Sequence, residues 1–423
     1  MSRVLVVGGG GREHALAWGL ARSSAVDEVV CAPGNAGMAE LAECRAVDPL
    51  DPAAVGALAD ELDADLTVVG PEDPLVAGVV DGVTARGRLA FGPNRAAAHL
   101  EGSKQWMKDV LAAAGVPTAR FGAFTEEGPA FAFLETLPGL YVVKTDGLAA
   151  GKGVIVTESI ADAREAVRAY LSGDAFGDAG RTCVIEEGMT GPELSVFALC
   201  DGRDAVPIAS AQDHKRAFDG DLGPNTGGMG AYSPVPFVPD DLVSEIMEKA
   251  VHPTLAEMRN REAEYRGALY CGLMLTPQGP KVVEYNVRFG DPECQVIVPR
   301  LASDLYAHCY ESAVGRIETP VRLRNEACVG VAIASEGYPP APLRRGDVIT
   351  GLDAAAQIPG VVVFHSGTKS LDGNITTNGG RVLTVSATGP DIAAARDRAY
   401  EAVAKISWPG LHYRRDIAAQ ALP

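Results

Sequence analysis

The sequence predicts a multidomain protein: an open parallel α/β domain at the N-terminus, an α+β module in the middle and a β-rich domain at the C-terminus. Its 423 residues are enough for roughly two to four domains of ordinary size. Over the first ~100 residues, short apolar runs alternate with Ala- and Leu-rich helical stretches, the rhythm of a parallel sheet with helices on its faces. Past Gly115-Val116-Pro117 the apolar runs crowd together with one good helix among them, which is the rhythm of an α+β module.

In the N-terminal domain (1–119), strands are expected at Arg3–Val7, Glu28–Cys31, Leu66–Val69 and Leu89–Phe91, with a helix from Glu13 to Ala21. Each strand ends in a turn: GGGG, APGN, GPEDP or GPN. In an open α/β sheet the ligand crevice lies beyond the carboxyl ends of the strands, where such turns gather. The middle of the chain divides into 120–190 and 191–325. It carries strand-like runs at Tyr141–Thr145, Gly153–Thr157, Cys183–Glu186 and Leu194–Leu199, and a helix over Ile160–Leu171. Segment 211–234, AQDHKRAFDGDLGPNTGGMGAYSP, holds five glycines and two prolines without periodicity and reads as a long functional loop. Two strands follow, Gly267–Leu275 and Lys281–Arg288, joined by TPQGP. The C-terminal domain (326–423) offers β-runs at Val329–Ala334, Val361–Phe364 and Val382–Ala387, and a helix over Asp391–Lys405.

Composition excludes whole classes of function. Hydrophobic residues make up 47% and charged ones 22%, a globular balance that rules out a disordered or collagen-like chain. With 37 basic against 55 acidic residues the formal charge is −18. Such a surface repels phosphodiester backbones, so no nucleic-acid partner is expected, although a local cluster of lysines can still hold a small anion. No apolar run approaches the ~18 residues of a membrane span, and the N-terminal apolar stretch enters a glycine run where a cleavage site would stand. No membrane partner is expected. The eight cysteines never come closer than thirteen positions apart, which excludes CxxC chemistry, argues against a disulfide framework and points to a reduced, cytoplasmic location.

Four constellations carry chemistry. In GGGGREH (Gly8–His14) a glycine turn between strand and helix lets backbone N–H groups approach a phosphate, with Gly10 a candidate for positive φ. The dinucleotide pattern GxGxxG fails because Glu13 or His14 stands at the third glycine. What remains is a site for a smaller phosphorylated ligand, or a tight structural turn. The stretch Tyr141–Thr157, YVVKTDGLAAGKGVIVT, is not a P-loop: only three residues separate Gly147 from Gly151, and Gly153 stands where Ser or Thr should be. It reads as a strand–loop–strand hairpin with Lys144 and Lys152 placed to fold over a triphosphate, or as a surface hairpin with two solvated lysines. In KVVEYNVRFGDPE (Lys281–Glu293), strand periodicity puts Glu284, Asn286 and Arg288 on one face and Val283, Tyr285 and Val287 on the other. Oxygen ligands from Glu and Asn suit Mg²⁺, and Arg288 beside them suits a transferring phosphoryl group; an amphipathic edge strand is the plainer alternative. Glu186, Glu187 and Glu193, in CVIEEGMTGPELS, could stand beside a ribose, and could equally be solvated acids.

These pieces, in this order, resemble an ATP-grasp ligase. The runs GGGGREHAL, GPEDPLVAGVVD, LEGSK, VVKTDGLAAGKGV, QDHKR, GPNTGGMGAYSP and NVRFGDPECQ are similar, from end to end, to the glycinamide ribonucleotide synthetase family. The resemblance implies that 120–190 is the small, lid-like ATP-grasp subdomain and 191–325 the large one with the metal strand. It implies ATP as co-substrate, Mg²⁺ or Mn²⁺ as metal, glycine and 5-phosphoribosylamine as the other substrates, and a monomer. Carried over by position, Lys104, Lys144, Gly151, Lys152 and Gly153 would lie on ATP, Glu186 and Glu187 at the adenine hinge, and Glu193 on ribose. Glu284 and Asn286 would bind the metal. Gly10, Gly11, Arg12, Glu13, Pro71 and Glu72 would hold phosphoribosylamine. Arg288, Lys152, Asp213 and Lys215 would lie near glycine and the phosphoryl group. Because an acyl phosphate must be kept from water, the 211–234 loop and the Lys144–Lys152 hairpin are expected to act as lids. Two alternatives stay open: a relative joining another acid to another amine, and a non-catalytic nucleotide sensor on the same fold.

Overall fold

The computed structural model describes residues 2–148, 153–173, 182–339 and 342–422. Its N-terminal strands are β1 (Ser2–Gly8), β2 (Val26–Pro33), β3 (Glu43–Cys44), β4 (Leu66–Val69) and β5 (Ala90–Phe91). They pair in parallel in the order β3-β2-β1-β4-β5. Val4 and Val6 pack into one core with Leu16, Ala17 and Leu20 of α1 (Gly11–Leu20), while Leu5 and Val7 pack into another with Val55 and Leu58 of helix Pro52–Glu61. A strand covered on both faces has to be apolar at successive positions, and this one is. The carboxyl ends of β1, β2 and β4 are laced together: the Gly34 amide donates to the Gly8 carbonyl (3.2 Å) and the Gly70 amide to the Val7 carbonyl (3.1 Å). The expected gathering of turns is therefore present.

In the middle, β6 (Phe121–Phe124), β7 (Tyr141–Thr145), β8 (Val154–Thr157) and β9 (Cys183–Glu187) form an antiparallel sheet in the order β6-β9-β7-β8. The amphipathic helix Ile160–Leu171, capped by Ser159, buries Ala163, Val167 and Tyr170 against Val143 and Ile185 of this sheet.

The larger sheet is built by β10 (Glu193–Asp201), β11 (Ala205–Asp213), β14 (Gly230–Ser233), β15 (Arg266–Thr276), β16 (Gly279–Asn286), β17 (Ala327–Ala334), β18 (Val361–His365) and β21 (Arg381–Gly389). Among the described residues its order is β16-β15-β10-β11-β14-β17-β21-β18. Two small ribbons flank it: β12 (Arg216–Phe218) with β13 (Leu222–Asn225), and β19 (Thr368–Leu371) with β20 (Asn374–Thr377). The C-terminal helix, Ile392–Val403, is capped by Asp391 and packs on β21 and β17.

The structure corrects two expectations. Segment 211–234 is not a free loop or a lid. It contains the end of β11, the β12–β13 ribbon and β14, whose four residues are all buried between β11 and β17. The ribbon is fastened to the C-terminal tail by Asp221–Arg414 (2.7 Å) and by the Gly220 amide donating to Asp416 (2.8 Å). Glycine-rich backbone pairs here because neighbouring chains come very close: a Cβ on Gly230 would lie 2.6 Å from the Gly330 carbonyl oxygen. Second, β16 does not alternate regularly. Its register against β15 slips between Glu284 and Val282, so that Val282, Tyr285 and Val287 are buried while Val283 is only half-buried. A bulge of this kind re-aims the side chains beyond it, and those are Glu284, Asn286 and Arg288.

Candidate active site

The nucleotide end is organised by a buried ion triad. Glu186, at the end of β9, lies 2.6 Å from Lys144 of β7 and 2.7 Å from Lys108 of helix Lys104–Ala113. Side-chain exposures of 3%, 6% and 0% make this an interior group. Burial would raise the Glu186 carboxyl, but Lys144 and Lys108 outweigh it and hold it below the ordinary range; burial lowers Lys108 to about 8. Lys108 also donates to Thr118 (2.7 Å), whose hydroxyl donates to the Val282 carbonyl on the metal strand (2.6 Å). Lys144 is thus neither solvated nor at a surface. Lys104 donates to the Gly147 carbonyl (2.6 Å), while Asp146 accepts from Ser103 and from the Gln105 amide. These bonds fix the turn after β7 to the start of that helix. Glu187 accepts the Arg120 amide (3.0 Å). Gly153 is buried, and its carbonyl accepts from Thr145 (2.9 Å). Gly151 and Lys152 lie outside the described residues.

Across the cleft, Lys215 lies 2.6 Å from Glu193 and 3.9 Å from Glu284. Glu193 and Glu284 keep 43% and 40% of their side-chain surface open. Burial by surrounding protein would raise Glu284, but Lys215, Lys144, Lys104 and Arg288 outweigh it and keep the carboxyl low. Arg288 reaches Asn286 Oδ1 at 3.4 Å. Asp213 and Glu293 are both raised, chiefly by burial, with Glu193 and Glu284 adding at Asp213 and Asp213 adding at Glu293. The strand that was expected to carry the metal therefore places one carboxylate and one amide oxygen before four cations.

The N-terminal turns close the other side. Arg288 is held between Glu72 and Glu101, at 2.9 Å from each. Burial is opposed at Glu72 by Arg288 and Arg12, which pull it to about 2, and prevails at Glu101, which rises to about 7. Arg12 pairs with Glu13 (2.5 Å) and Glu72 (3.5 Å) and donates to the Phe289 carbonyl (3.1 Å). Pro71 caps the short helix that begins at Glu72. Glu13 turns back to accept the Gly10 amide (2.7 Å), so the helix's own carboxylate occupies part of its N-terminus. Gly10 has φ −89°, and the positive φ falls on Gly8 (124°) instead. A Cβ on Gly11 would lie 2.5 Å from Ser366 Oγ and 2.6 Å from Gln295 Nε2, so the C-terminal region seals this turn.

Sequence reasoning missed Lys108, Glu101, Glu293 and Arg381. Arg381 lies 3.3 Å from Asp291 and donates to the carbonyls of Asp291, Gly227 and Gly228. Three of the four had a signal: Glu101 stands within LEGSK, Glu293 within NVRFGDPECQ, and Arg381 follows Gly379-Gly380. Lys108 had none, because a lysine on an amphipathic helix looks solvated until its partner is known. No three His, Cys, Asp or Glu side chains converge on a metal-sized site among the described residues, and no helix among them is long and apolar enough to cross a membrane.

Comparison with known proteins matches three regions of the chain. Residues 2–101, 102–294 and 328–420 match, respectively, the N domain, the ATP-grasp (A) domain and the C domain of phosphoribosylglycinamide synthetase. The chain is 51% identical to the phosphoribosylamine–glycine ligase of Streptomyces coelicolor, covering 99% of both chains. It is 48% identical to that of Brucella melitensis biotype 1, covering 99% of this chain and 98% of the other. A crystal structure of phosphoribosylamine–glycine ligase from Thermotoga maritima superimposes with a TM-score of 0.87 at 35% identity, covering 98% of this chain and all of that one. The biotin carboxylase domain of Hydrogenobacter thermophilus 2-oxoglutarate carboxylase shares the fold (TM-score 0.73) at 18% identity, covering 97% of this chain and 91% of that one. With its three regions matched in order and relatives about half identical over their full length, the chain belongs to the phosphoribosylglycinamide synthetase family of ATP-grasp ligases.

Proposed function

We propose that the chain joins glycine to 5-phosphoribosylamine in the second step of de novo purine biosynthesis. ATP is consumed, and the products are glycinamide ribonucleotide, ADP and phosphate. The observation that supports this reading is Glu284, 3.9 Å from Lys215 and held low by Lys215, Lys144, Lys104 and Arg288 together, with Arg288 bonded in turn to Glu72 beside the N-terminal turns. One end of the cleft is built for polyphosphate and the other offers Arg12, Glu13 and Glu72, donors and acceptors suited to a phosphorylated, hydroxylated amine.

A carboxylate does not acylate an amine at neutral pH because its oxygen is a poor leaving group. Phosphorylation of glycine makes glycyl phosphate, whose leaving group is phosphate, and the amine of phosphoribosylamine then attacks the carbonyl carbon. This route needs no protein nucleophile. The lysines and Arg288 bind and orient the phosphates and spread their charge, with Asp213 and Lys215 beside the reacting carboxylate. Lys144 is held in place by Glu186, and Glu193 is oriented by Lys215 towards ribose, with the backbone of Glu186 and Glu187 lining the adenine side. Glu284 and Asn286 would hold Mg²⁺ or Mn²⁺: two hard oxygen donors that leave room for phosphate oxygens and water fit such an ion. When bound, the metal would neutralise charge on the transferring group. From their place in the sequence alone, Gly151 and Lys152 are assigned to the ATP phosphates. One chain supplies every residue named, which supports a monomer, and eight free cysteines support a cytoplasmic setting.

The decisive experiment labels the glycine carboxylate with ¹⁸O. One labelled oxygen should appear in released phosphate when all substrates are present. Label found only in the amide product would overturn the glycyl phosphate route.

The assignment of the two ends is tested by Gly10→Val. A Cβ there would sit 2.7 Å from Glu13 Oε2 and drive that carboxylate off the Gly10 amide. The apparent KM for phosphoribosylamine should rise at least tenfold with the KM for ATP nearly unchanged, a split of about 1.4 kcal/mol or more. Loss of ATP binding in a protein with a native melt would give the glycine turn to the nucleotide instead.

A further inference from the structure

The two cysteines nearest in sequence, Cys31 and Cys44, are brought side by side by the N-terminal sheet. They are direct partners in the parallel pairing of β2 and β3, so their side chains leave the same face of the sheet. Neighbouring strands run about 4.8 Å apart, inside the range of Cα separations that a disulfide spans. Both side chains converge on Gly34: a Cβ placed there would lie 2.5 Å from Cys44 Sγ and 3.3 Å from Cys31 Cβ. Each thiol shifts the other's titration, raising Cys31 and lowering Cys44, and both are free. Cys31 is fully buried, Cys44 half-buried. β3 is a two-residue strand at the sheet edge, where a small shift that lets the sulfurs bond meets little resistance.

We propose that Cys31 and Cys44 form a dithiol modification site that small-molecule disulfides oxidise reversibly to an intramolecular disulfide. Cys44, the accessible partner, attacks first. The neighbouring Cys31 lowers its pKa, with the Asn35 amide adding to this and burial and Glu43 opposing; the net position is about 7. With glutathione disulfide, the Cys44 thiolate attacks one sulfur, forms a mixed disulfide and releases one glutathione thiolate. Cys31 then gives its proton to the released glutathione thiolate, attacks Cys44 Sγ and displaces the second glutathione thiolate, which takes a proton from water. Two protein thiols are oxidised and one glutathione disulfide is reduced to two thiols.

The pair underlies the APGN turn. Asn35 is that turn's hub: its amide side chain donates to the Gly9 carbonyl (2.9 Å) and the His365 carbonyl (2.8 Å), and its Oδ1 accepts the amides of Gly37 and Met38. Both sulfurs lie against Gly34, next to Asn35, so bonding them pulls on the turn whose Asn35 side chain holds the Gly9 carbonyl of the glycine run. This kinetic consequence rests on reading that run as the phosphoribosylamine site, whereas the disulfide itself does not.

The test treats the full-length protein with glutathione disulfide, blocks remaining thiols with iodoacetamide and maps the tryptic peptide Ser23–Arg45, which contains both cysteines and no others. The expected result is a peptide with neither alkylation nor glutathione, restored to two alkylated thiols by dithiothreitol. Cys31→Ser should instead trap glutathione on Cys44. Two alkylated thiols in treated wild type, or glutathione stably retained on Cys44 with Cys31 free, overturns the proposal. The KM for phosphoribosylamine of the oxidised protein should rise severalfold with the KM for ATP unchanged. A mapped disulfide with an unchanged KM would overturn the placement of that substrate and leave the dithiol site standing.

Discussion

Replacing Glu284 by glutamine slows turnover about 100- to 1000-fold, the ~2.7–4 kcal/mol that one electrostatic contact in a transition state is worth. The substitution keeps shape and removes one negative charge from a point faced by Lys215, Lys144, Lys104 and Arg288. Four cations then crowd one another without their common counter-ion, and the charge that draws a divalent ion to Asn286 is gone. The loss should be in kcat rather than in the KM for glycine, and it should be partly recovered at high Mg²⁺. Near-native turnover at ordinary Mg²⁺ would reduce this carboxylate to a structural part.

Glu186→Leu has the largest expected effect on stability. It leaves Lys144 and Lys108, exposed by 6% and 0%, without their shared counter-charge, and breaking a buried ion group by removing one member costs about 3–5 kcal/mol. The urea transition of the four-stranded sheet should move to markedly lower denaturant. Adding Lys108→Met should recover much of the loss, because a buried apolar side chain tolerates the absence of a counter-charge that an ammonium does not. A double variant no more stable than the single one would mean that Glu186 acts through packing alone.

The elements that the sequence revealed best are those whose pattern is local. β4, β7 and the helix Ile160–Leu171 have the expected bounds, and β1, β2, β9 and β15 differ by a few residues at their ends. Each is an apolar run or stripe closed by a turn or a cap. β14 was invisible because Gly-Ala-Tyr-Ser has little strand propensity of its own; pairing with β11 and β17 on either side makes it a strand. The site divides along the same line. Glu284, Asn286 and Arg288 were readable because they stud an apolar strand, though the bulge at Val283 was not. Glu186 could be singled out but not understood, since its meaning depends on Lys108, which lies 78 positions earlier in the sequence. Cys31 and Cys44 looked solitary because twelve intervening residues hide a register that only sheet pairing creates.

The placement of β14 also sets a timetable for a chain leaving the ribosome. β11 precedes it and is available at once, but β17 emerges roughly a hundred residues later, about 5–20 s at ~5–20 residues per second. Through that interval the outer edge of β14 has backbone amides and carbonyls with no strand to meet them, the condition under which nascent chains recruit one another. A strand of four residues, half of them glycine and serine and without a β-branched side chain, is a poor template for such recruitment. The weak strand character that conceals β14 in the sequence is what suits it to wait during synthesis for its partner.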